Sequence, residues 1–438
     1  MAEHHTEIED NILFVIEKDL EQLLPPSNSA SIHRVPKEFR QSNEKHFTPT
    51  IISIGPLHAK EENLCPAHLL KLSYLKFFLT ELQPGKTLKD LIQIIRGEEE
   101  KARLCYDVNI YIDTDDFVRM MVLDGCFILG LILEHPNMSI KTNDSQLGSA
   151  ARHEPLSGPL LYDILKDLLL LENQLPFFVL TSLYKLVKRH ENDHQTLVQK
   201  TLSLFQLIMP IDDVLFSREN GFEIKHLLHL VLLEFCPRRD HTKNETVELD
   251  MPRNIEPSWS SMKRASVLQL HGIKFKGNIG AVLTDAHFSG GVLELPRLVF
   301  QELTIPLFWN LLALDQCLDE KNHFFTSYAI FMDNLIDDEN DIELLIDNGV
   351  IDPCLNDKQA LVTLFNNLAV GVVAEIDLFQ NLSTQVNRYC DFAWRPYRAY
   401  LVDNYYDVRW QVLNSILLFI LTLTQTLFTV LAYHPKNE

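Results

Sequence analysis

The chain has 438 residues, of which 46% are apolar and 23% charged, and its formal net charge is −21. This composition is ordinary for a globular protein with a real core, and the length allows one large helical domain or two to three smaller ones. The negative charge argues against nucleic acid as a partner, because a phosphate backbone is bound by Lys and Arg side chains that neutralise it.

Apolar spacing in the first half predicts a mainly helical protein. Residues 1–30 contain an amphipathic helix that ends at Pro25-Pro26, and the proline-rich stretch 32–58 is typical of an ordered loop. The further predicted helices cover 67–82, 88–110, 113–133, 197–216 and 222–235, together with an apolar stretch at 160–187 that Pro176 kinks or splits.

The second half begins with a polar, proline-bounded segment at 237–257, which we interpret as an internal linker. After it, a helix is predicted over 258–265. The sequences GIKFKG (272–277) and VLELPRLVF (292–300) alternate as short strands do, and Pro296 should restrict the second strand to a sheet edge. The expected fold is a large helical domain at 31–410 with at most a few short strands, followed by a membrane anchor at 411–438.

Seven cysteines are widely spaced and form no C-x-x-C pair. They indicate neither a zinc site nor a disulfide framework, and they fit a reducing compartment. Cys126 lies in the apolar run GCFILGLIL and should be a core residue.

An acidic run, Asp337-Asp338-Glu339-Asn340-Asp341, matches the pattern D-D-x-x-D. In isoprenoid synthases this spacing holds Mg²⁺ and a diphosphate, so an enzyme acting on a diphosphate-like substrate is one hypothesis. The second metal-binding half of such an enzyme is missing. The alternative is that these acids cap the helix that starts at IELLI, since carboxylates stabilise helix N-termini.

Other catalytic patterns are incomplete. GIKFKGN has the two glycines of a phosphate loop but carries Asn278 where the lysine must stand. The di-iron spacing E-x-x-H occurs three times, at Glu191/His194, Glu223/His226 and Glu320/His323. We interpret His226 and His229 as core histidines rather than ligands. We therefore expect a protein that is not an enzyme and that has no catalytic residue, metal or cofactor.

Three hydrogen-bonding side chains, Glu172, Asn173 and Gln174, lie inside the apolar run LLLLENQLPFFVL. Burying each without a partner would cost about 1–3 kcal/mol, so each should have a specific partner. One interpretation is an internal network that pins a loop, with the Arg34 segment as a candidate. The other is a binding pocket.

The C-terminal run from Ile416 to Tyr433 contains no charge. About 18 residues at roughly 1.5 Å each almost cover a hydrocarbon core about 30 Å thick. Eleven of them are Leu, Ile, Phe or Val, which together favour insertion by about 3–7 kcal/mol, and polar residues oppose this. The run is a marginal span, and a buried core helix is the alternative.

The polar residues of this run form a stripe that suits contact with another membrane helix. The stripe consists of Ser415, Thr422, Gln425, Thr426 and Thr429. Arg395, Arg398 and Arg409 precede the run and only Lys436 follows it, which predicts a cytosolic main domain. The N-terminus lacks the features of a secretory signal, which agrees with this orientation. We expect a single-pass protein of the plasma membrane.

Eight motifs carry a resemblance to a known family. They are IHRVPKEFR, FTPTIISIGPLH, MMVLDGCFIL, DLLLLENQLPFFVL, GIKFKG, WNLLALDQC, FMDNLI…DIELLIDNGVI and the hydrophobic tail. In this order they resemble the plant domain of unknown function 247 family over about residues 30 to 433. The resemblance implies a mostly helical land-plant protein with a C-terminal transmembrane segment and no known reaction.

Some grass members of that family are associated with pollen self-incompatibility, so the resemblance favours recognition or signalling through a protein partner, with a homo-oligomer as a further option. One departure concerns the segment after Gly55-Pro56. Members commonly carry an aromatic residue and paired histidines there, whereas this chain has Leu57-His58-Ala59.

Overall fold

The computed structural model describes residues 30–59, 67–138, 156–188, 195–210, 223–236, 261–318, 323–354, 357–372, 377–391 and 405–433. The predicted fold class is confirmed: the protein is mainly α-helical, its strands are few and short, and an apolar helix stands at its C-terminus. The predicted N-terminal helix and the 237–257 linker lie outside the described residues.

The first group of helices packs around one central, apolar helix. It comprises α1 (Lys37–Asn43), α2 (Ala67–Thr80), α3 (Leu88–Arg103) and α4 (Thr114–Met138), with a 3₁₀ turn at Glu44–His46 after α1. Helix α4 contacts both α2 and α3. Two glycines of α4 let its neighbours approach closely: a Cβ at Gly125 would lie 2.5 Å from Leu183, and one at Gly130 would lie 2.7 Å from Tyr74. The helix continues to Met138, past the predicted end at Pro136.

The apolar stretch 160–187 is split, as predicted, into α5 (Gly158–Asp167) and α6 (Phe177–Tyr184). The break already begins after Asp167, and Pro176 closes it because the residue before a proline disfavours helical backbone. Helices α7 (Leu197–Phe205) and α8 (Leu227–Phe235) complete this half. The residues between α5 and α6 are buried, so their backbone groups need protein partners.

The second half places a small sheet after α9 (Ala265–Leu270), which starts seven residues later than the predicted helix at 258. Strands β1 (Lys274–Asn278), β3 (Val292–Pro296) and β2 (His287–Ser289) form one sheet in that order, and β4 (Leu298–Phe300) pairs with β5 (Ile351–Pro353) in another.

The prediction that Pro296 restricts its strand to an edge is wrong, because β3 is the central strand. Strand β2 pairs only with residues Val292 to Glu294 of β3. Pro296 therefore lies past the residues of β3 that pair with β2. On that side no neighbouring strand requires a hydrogen bond from the N–H that proline lacks.

Five further helices build the rest of the body. They are α10 (Thr304–Cys317), α11 (Phe324–Leu335), α12 (Glu339–Asp347), α13 (Lys358–Leu368) and α14 (Gln380–Cys390). Helix α10 is buried over most of its length and contacts α8, α11 and α13. Phe308 stacks edge-on against Phe325, with ring centroids 5.1 Å apart. One apolar cluster runs from Ile32 to Cys390, so the helices on both sides of residues 237–260 share a core.

The last helix, α15 (Tyr405–Tyr433), differs from all of these. Its segment Arg409–Thr429 has a mean hydropathy of 1.7 and is exposed along its whole length. The alternative of a buried C-terminal core helix therefore does not describe this segment. By length and composition it is a candidate membrane span.

Candidate functional site

Residues 30–59, here called the strap, cross the surface of the helical core as an irregular segment that includes α1. Its buried main-chain groups are bound mainly by side chains that project from the core. Because a buried backbone group without a partner destabilises the fold, these side chains decide where the strap can lie.

Asp167 binds the middle of the strap. Its fully buried carboxylate accepts hydrogen bonds from the backbone amides of Thr50 (3.0 Å), Ile51 (2.6 Å) and Ile52 (3.0 Å). Burial raises the pKa of this carboxyl, and the hydrogen bonds from the three amides counter that rise. The side chain acts as a receptor for three consecutive peptide N–H groups.

Asn173 binds the next residues of the strap with both ends of its amide. Its Oδ1 accepts from the amide of Ile54 at 2.6 Å, and its Nδ2 donates to the carbonyl of Ile52 at 3.0 Å and to that of Asp167 at 2.8 Å. Asn310, from α10, works in the same way: its Nδ2 donates to the carbonyl of His46 and its Oδ1 accepts from the amide of Leu171.

Glu172 binds the start of the strap. Its Oε1 accepts from the amide of Val35 at 2.8 Å and lies 2.8 Å from the guanidinium of Arg40, while its Oε2 lies 3.5 Å from Nε2 of His58. The sequence suggested the segment that contains Arg34 as one candidate partner. Arg34 is exposed, however, and its backbone amide donates to Asp107, so the arginine of this network is Arg40.

Gln174 closes the break between α5 and α6 and connects it to α8. Its Nε2 donates to the carbonyls of Leu168 and Leu170, and its Oε1 accepts from the amide of Leu228. Its own carbonyl accepts from the Tyr106 hydroxyl and lies so close to Gly55 that a Cβ there would be 2.6 Å away. Gly55 also has a φ of 71°, which favours glycine.

An ion pair holds the end of the strap. Lys71 of α2 lies 2.5 Å from Asp124 of α4 and donates to the carbonyl of Ser53, while Asp124 also accepts from the amide of Gly55. Burial raises the pKa of Asp124, and Lys71 opposes that rise. Removing either partner would leave a charge uncompensated in the interior.

Two histidines at the start of α8, the N-cap residue His226 and His229 within the helix, complete the network as neutral side chains. The Nδ1 of His226 accepts from the amide of His229, so its Nε2 carries the proton and donates to the carbonyl of Ser31 at 2.9 Å. The Nδ1 of His229 accepts from the amide of Lys225. Burial lowers the pKa of His226 well below its usual range and, with the charge of Lys225, lowers that of His229 to about 4.

The core interpretation of His226 and His229 is therefore confirmed. Among the residues that the structure describes, no cluster of His, Cys, Asp or Glu could hold a metal ion. His194 and Glu320 lie outside those residues. Cys126 is buried, as predicted.

Glu172, Asn173 and Gln174 are thus brought together, and their polar atoms are occupied by the strap and by neighbouring turns. A cavity of about 80 Å³ lies elsewhere, lined by Phe331, Asn334, Asp377 and Phe379 among others. Sequence reasoning missed Asp124, Asp167 and Asn310. For Asp124 and Asn310 a signal was present, since each is a single polar residue inside an apolar run, whereas Asp167 directly follows Lys166.

The acidic run at 337–341 forms the N-terminal cap of α12. Asp338 accepts from the amide of Asp341, and the buried carboxylate of Asp341 accepts from the amides of Ser266, Asp337 and Asp338. Arg264 pairs with Asp337 and Asp338 at 2.9 and 2.8 Å. This geometry agrees with the capping interpretation, in which the carboxylates stabilise the start of the helix.

The hydroxyls of α15 are satisfied within their own helix. Ser415, Thr422, Thr426 and Thr429 each donate to the carbonyl four residues earlier, at 2.6–2.8 Å. The amide of Gln425 makes no hydrogen bond to any described residue. The predicted stripe thus contains four internally satisfied hydroxyls and one amide that still needs partners.

Comparison with known proteins identifies the family of the chain. A family model described as a plant protein of unknown function, DUF247, matches residues 32–424. The chain belongs to this family. The matched region includes most of the strap and the first part of α15.

Two Arabidopsis thaliana proteins are similar over nearly their whole length. UPF0481 protein At3g47200 is 27% identical over 432 residues, which cover 92% of this chain and 87% of that protein. UPF0481 protein At3g02645 is 22% identical over 485 residues, which cover 91% of this chain and 88% of that protein. No solved structure matches the chain.

Proposed function

We propose that this DUF247 protein is a membrane-anchored interaction protein without catalytic activity, which works in recognition or signalling with its main body in the cytosol. The observation that carries the proposal is the segment Arg409–Thr429, which is 21 residues long, apolar and exposed. At 1.5 Å per residue it spans about 32 Å, which matches the hydrocarbon thickness of a bilayer.

Exposure of this segment to water would be costly. Large apolar side chains such as Leu418, Phe419 and Phe428 are more than half exposed, and burying each is worth about 1.5–3 kcal/mol. Something must therefore cover the helix. A bilayer covers all of its faces at once, which fits a helix that is apolar nearly all round.

The hydroxyl groups support the same proposal. Within hydrocarbon, polar groups must be satisfied inside the protein because no water is present. The threonine and serine hydroxyls of α15 already bond to its own carbonyls, an arrangement that Ser and Thr commonly use in membrane helices.

The proposal that the body binds a partner rather than a substrate rests on how its polar residues are used. The network around Glu172, Asn173 and Gln174 serves the strap, and the carboxylates at 337–341 serve a helix cap. We therefore place the function on the outer surface of the body. The association of some family members with self-incompatibility favours recognition.

Carbonate extraction of membranes from plant cells that express the full-length protein tests the anchor. We expect the full chain in the pellet and a chain truncated before Ile416 in the supernatant. Leu421→Arg at the centre of the span costs about 2.5–3.5 kcal/mol of insertion free energy and should release a marginal anchor. Trp410→Arg, at its end, is the matched control and should remain in the pellet.

Recovery of the full chain in the soluble fraction would refute the proposal and leave a soluble scaffold. Orientation is tested with a tag before residue 30: protease added outside sealed cells should leave this tag intact. Affinity purification of the full chain and of the truncated chain then reveals whether binding partners depend on the anchor.

A further inference from the structure

One face of α15 differs chemically from the rest of the helix. Here called the seam, it consists of Gln411, Ser415, Leu418, Thr422, Gln425 and Thr429. Successive members are separated alternately by four and three residues, which is the heptad spacing of helices that pack in parallel with a left-handed crossing. Every seam member except Leu418 is small or hydrogen-bonding, whereas the other faces carry exposed Leu, Ile and Phe side chains.

Gln425 is the member that requires a partner. Its amide has two donor hydrogens and one acceptor oxygen, and none of them bonds to a described residue. The neighbouring hydroxyls of Thr422 and Thr429 donate to their own helix. In water the Gln425 amide would be hydrated, but inside a bilayer an unsatisfied amide is strongly unfavourable.

The described part of the chain offers the Gln425 amide no partner inside a membrane. Within the described part of the chain, only α15 is long and apolar enough to enter a membrane, so no second helix of this part can reach Gln425 there. A copy of the same chain supplies a glutamine at the same depth and in the same orientation. In a two-fold pair each seam position faces itself, and a glutamine is complementary to itself because it both donates and accepts.

We propose that α15 forms a parallel, left-handed homodimer through the seam, with the two Gln425 amides bonded to each other. This inference rests on the membrane anchoring proposed above and names its partner as a second copy of the chain. Serine and threonine along the seam let the two backbones approach, which is how membrane helices associate without a hydrophobic driving force.

The test uses the full-length protein, labelled near its N-terminus with a donor or an acceptor dye and reconstituted in phosphatidylcholine vesicles. Energy transfer is measured as the protein-to-lipid ratio falls. We expect Gln425→Leu to weaken self-association about 5- to 30-fold, the range of a hydrogen bond between membrane helices. Gln425→Asn keeps an amide and should therefore retain part of the self-association that Gln425→Leu loses.

Thr424→Leu is the matched control, because Thr424 is polar and adjacent in sequence but lies on the opposite side of the helix from the seam. It should leave self-association unchanged. Copper-catalysed crosslinking gives an independent readout: Thr422→Cys should form a disulfide-linked dimer and Thr424→Cys should not, above the level that the native cysteines give.

The outcomes separate the two proposals. Protein that fails to enter vesicles refutes the membrane anchor itself. Vesicle-bound protein that shows no energy transfer leaves the anchor intact and overturns the homodimer. Energy transfer that Gln425→Leu does not change, or equal crosslinking at positions 422 and 424, overturns the seam as the interface.

Discussion

Replacement of Asn173 by alanine tests the claim that buried side chains hold the strap. The substitution removes partners from three main-chain groups: the amide of Ile54, the carbonyl of Ile52 and the carbonyl of Asp167. Each buried group left unsatisfied costs about 1–3 kcal/mol. We therefore expect Asn173→Ala to lower the free energy of unfolding by at least about 3 kcal/mol. This is a large part of the roughly 5–15 kcal/mol that is typical of a domain.

The assay is urea unfolding of the full-length protein in mild detergent, with tryptophan fluorescence as the measured signal. Hydrogen exchange adds local detail, and the amides of Ile52 and Ile54 should exchange faster than those of α4. Asn173→Asp keeps the shape but presents a second acceptor to two carbonyls, so it should be at least as destabilising as alanine.

Asn367→Ala is the matched control. The Nδ2 of Asn367 also donates to a backbone carbonyl, that of Thr363 at 2.7 Å, but it lies on the exposed face of α13. The Asn367→Ala substitution should lower the free energy of unfolding by no more than about 0.5 kcal/mol. A loss below about 1 kcal/mol for Asn173→Ala, or unchanged exchange in the strap, would refute the reasoning.

Three other contacts of the described residues can be tested by substitution. Gly277→Ala would place a Cβ 1.8 Å from the carbonyl oxygen of Gly349, so the melting temperature should fall by several degrees. Arg40→Leu leaves the Glu172 carboxylate short of its cation and should cost about 2 kcal/mol or more in urea unfolding. His229 binds its proton only near pH 4 when folded but near 6.5 when unfolded, so acidification between these values should remove up to about 3 kcal/mol, and His229→Gln should flatten that pH dependence.

The first two of these substitutions have a control within the chain. Gly158→Ala lies in open space at the start of α5 and should leave the melting temperature nearly unchanged. Arg34→Leu, in the same segment as Arg40 but exposed, should change the unfolding free energy by no more than about 0.5 kcal/mol. An acid profile that is identical before and after His229→Gln would contradict a neutral, buried imidazole at this position.

The helices could be predicted because apolar spacing and capping residues are local signals. The spacing of α4 and the break before Pro176 are examples. Burial of Glu172, Asn173 and Gln174 could be predicted as well, since apolar residues flank them on both sides. In each case the signal lies within a few residues of the feature it describes.

The partners of these residues could not be predicted. Asn173 and Ile54 are 119 residues apart in sequence, and Asn310 and His46 are 264 apart. No periodicity fixes the alignment of an irregular segment, so nothing distinguished Arg34 from Arg40, six residues further on. Likewise, the position of Pro296 in a central strand depends on how far β2 extends, which is a property of the assembled sheet.

The way the strap is held has a consequence for biosynthesis. A ribosome makes residues 30–59 before the side chains that bind them, which follow at Asp124, Asp167, Glu172, Asn173, His226 and finally Asn310. The carbonyl of His46 therefore meets Asn310 only after 264 further residues have been synthesised. Such distant closures slow folding, and a nascent chain of this kind is exposed to misfolding during synthesis. Chaperone demand should accordingly be highest before Asn310 leaves the ribosome.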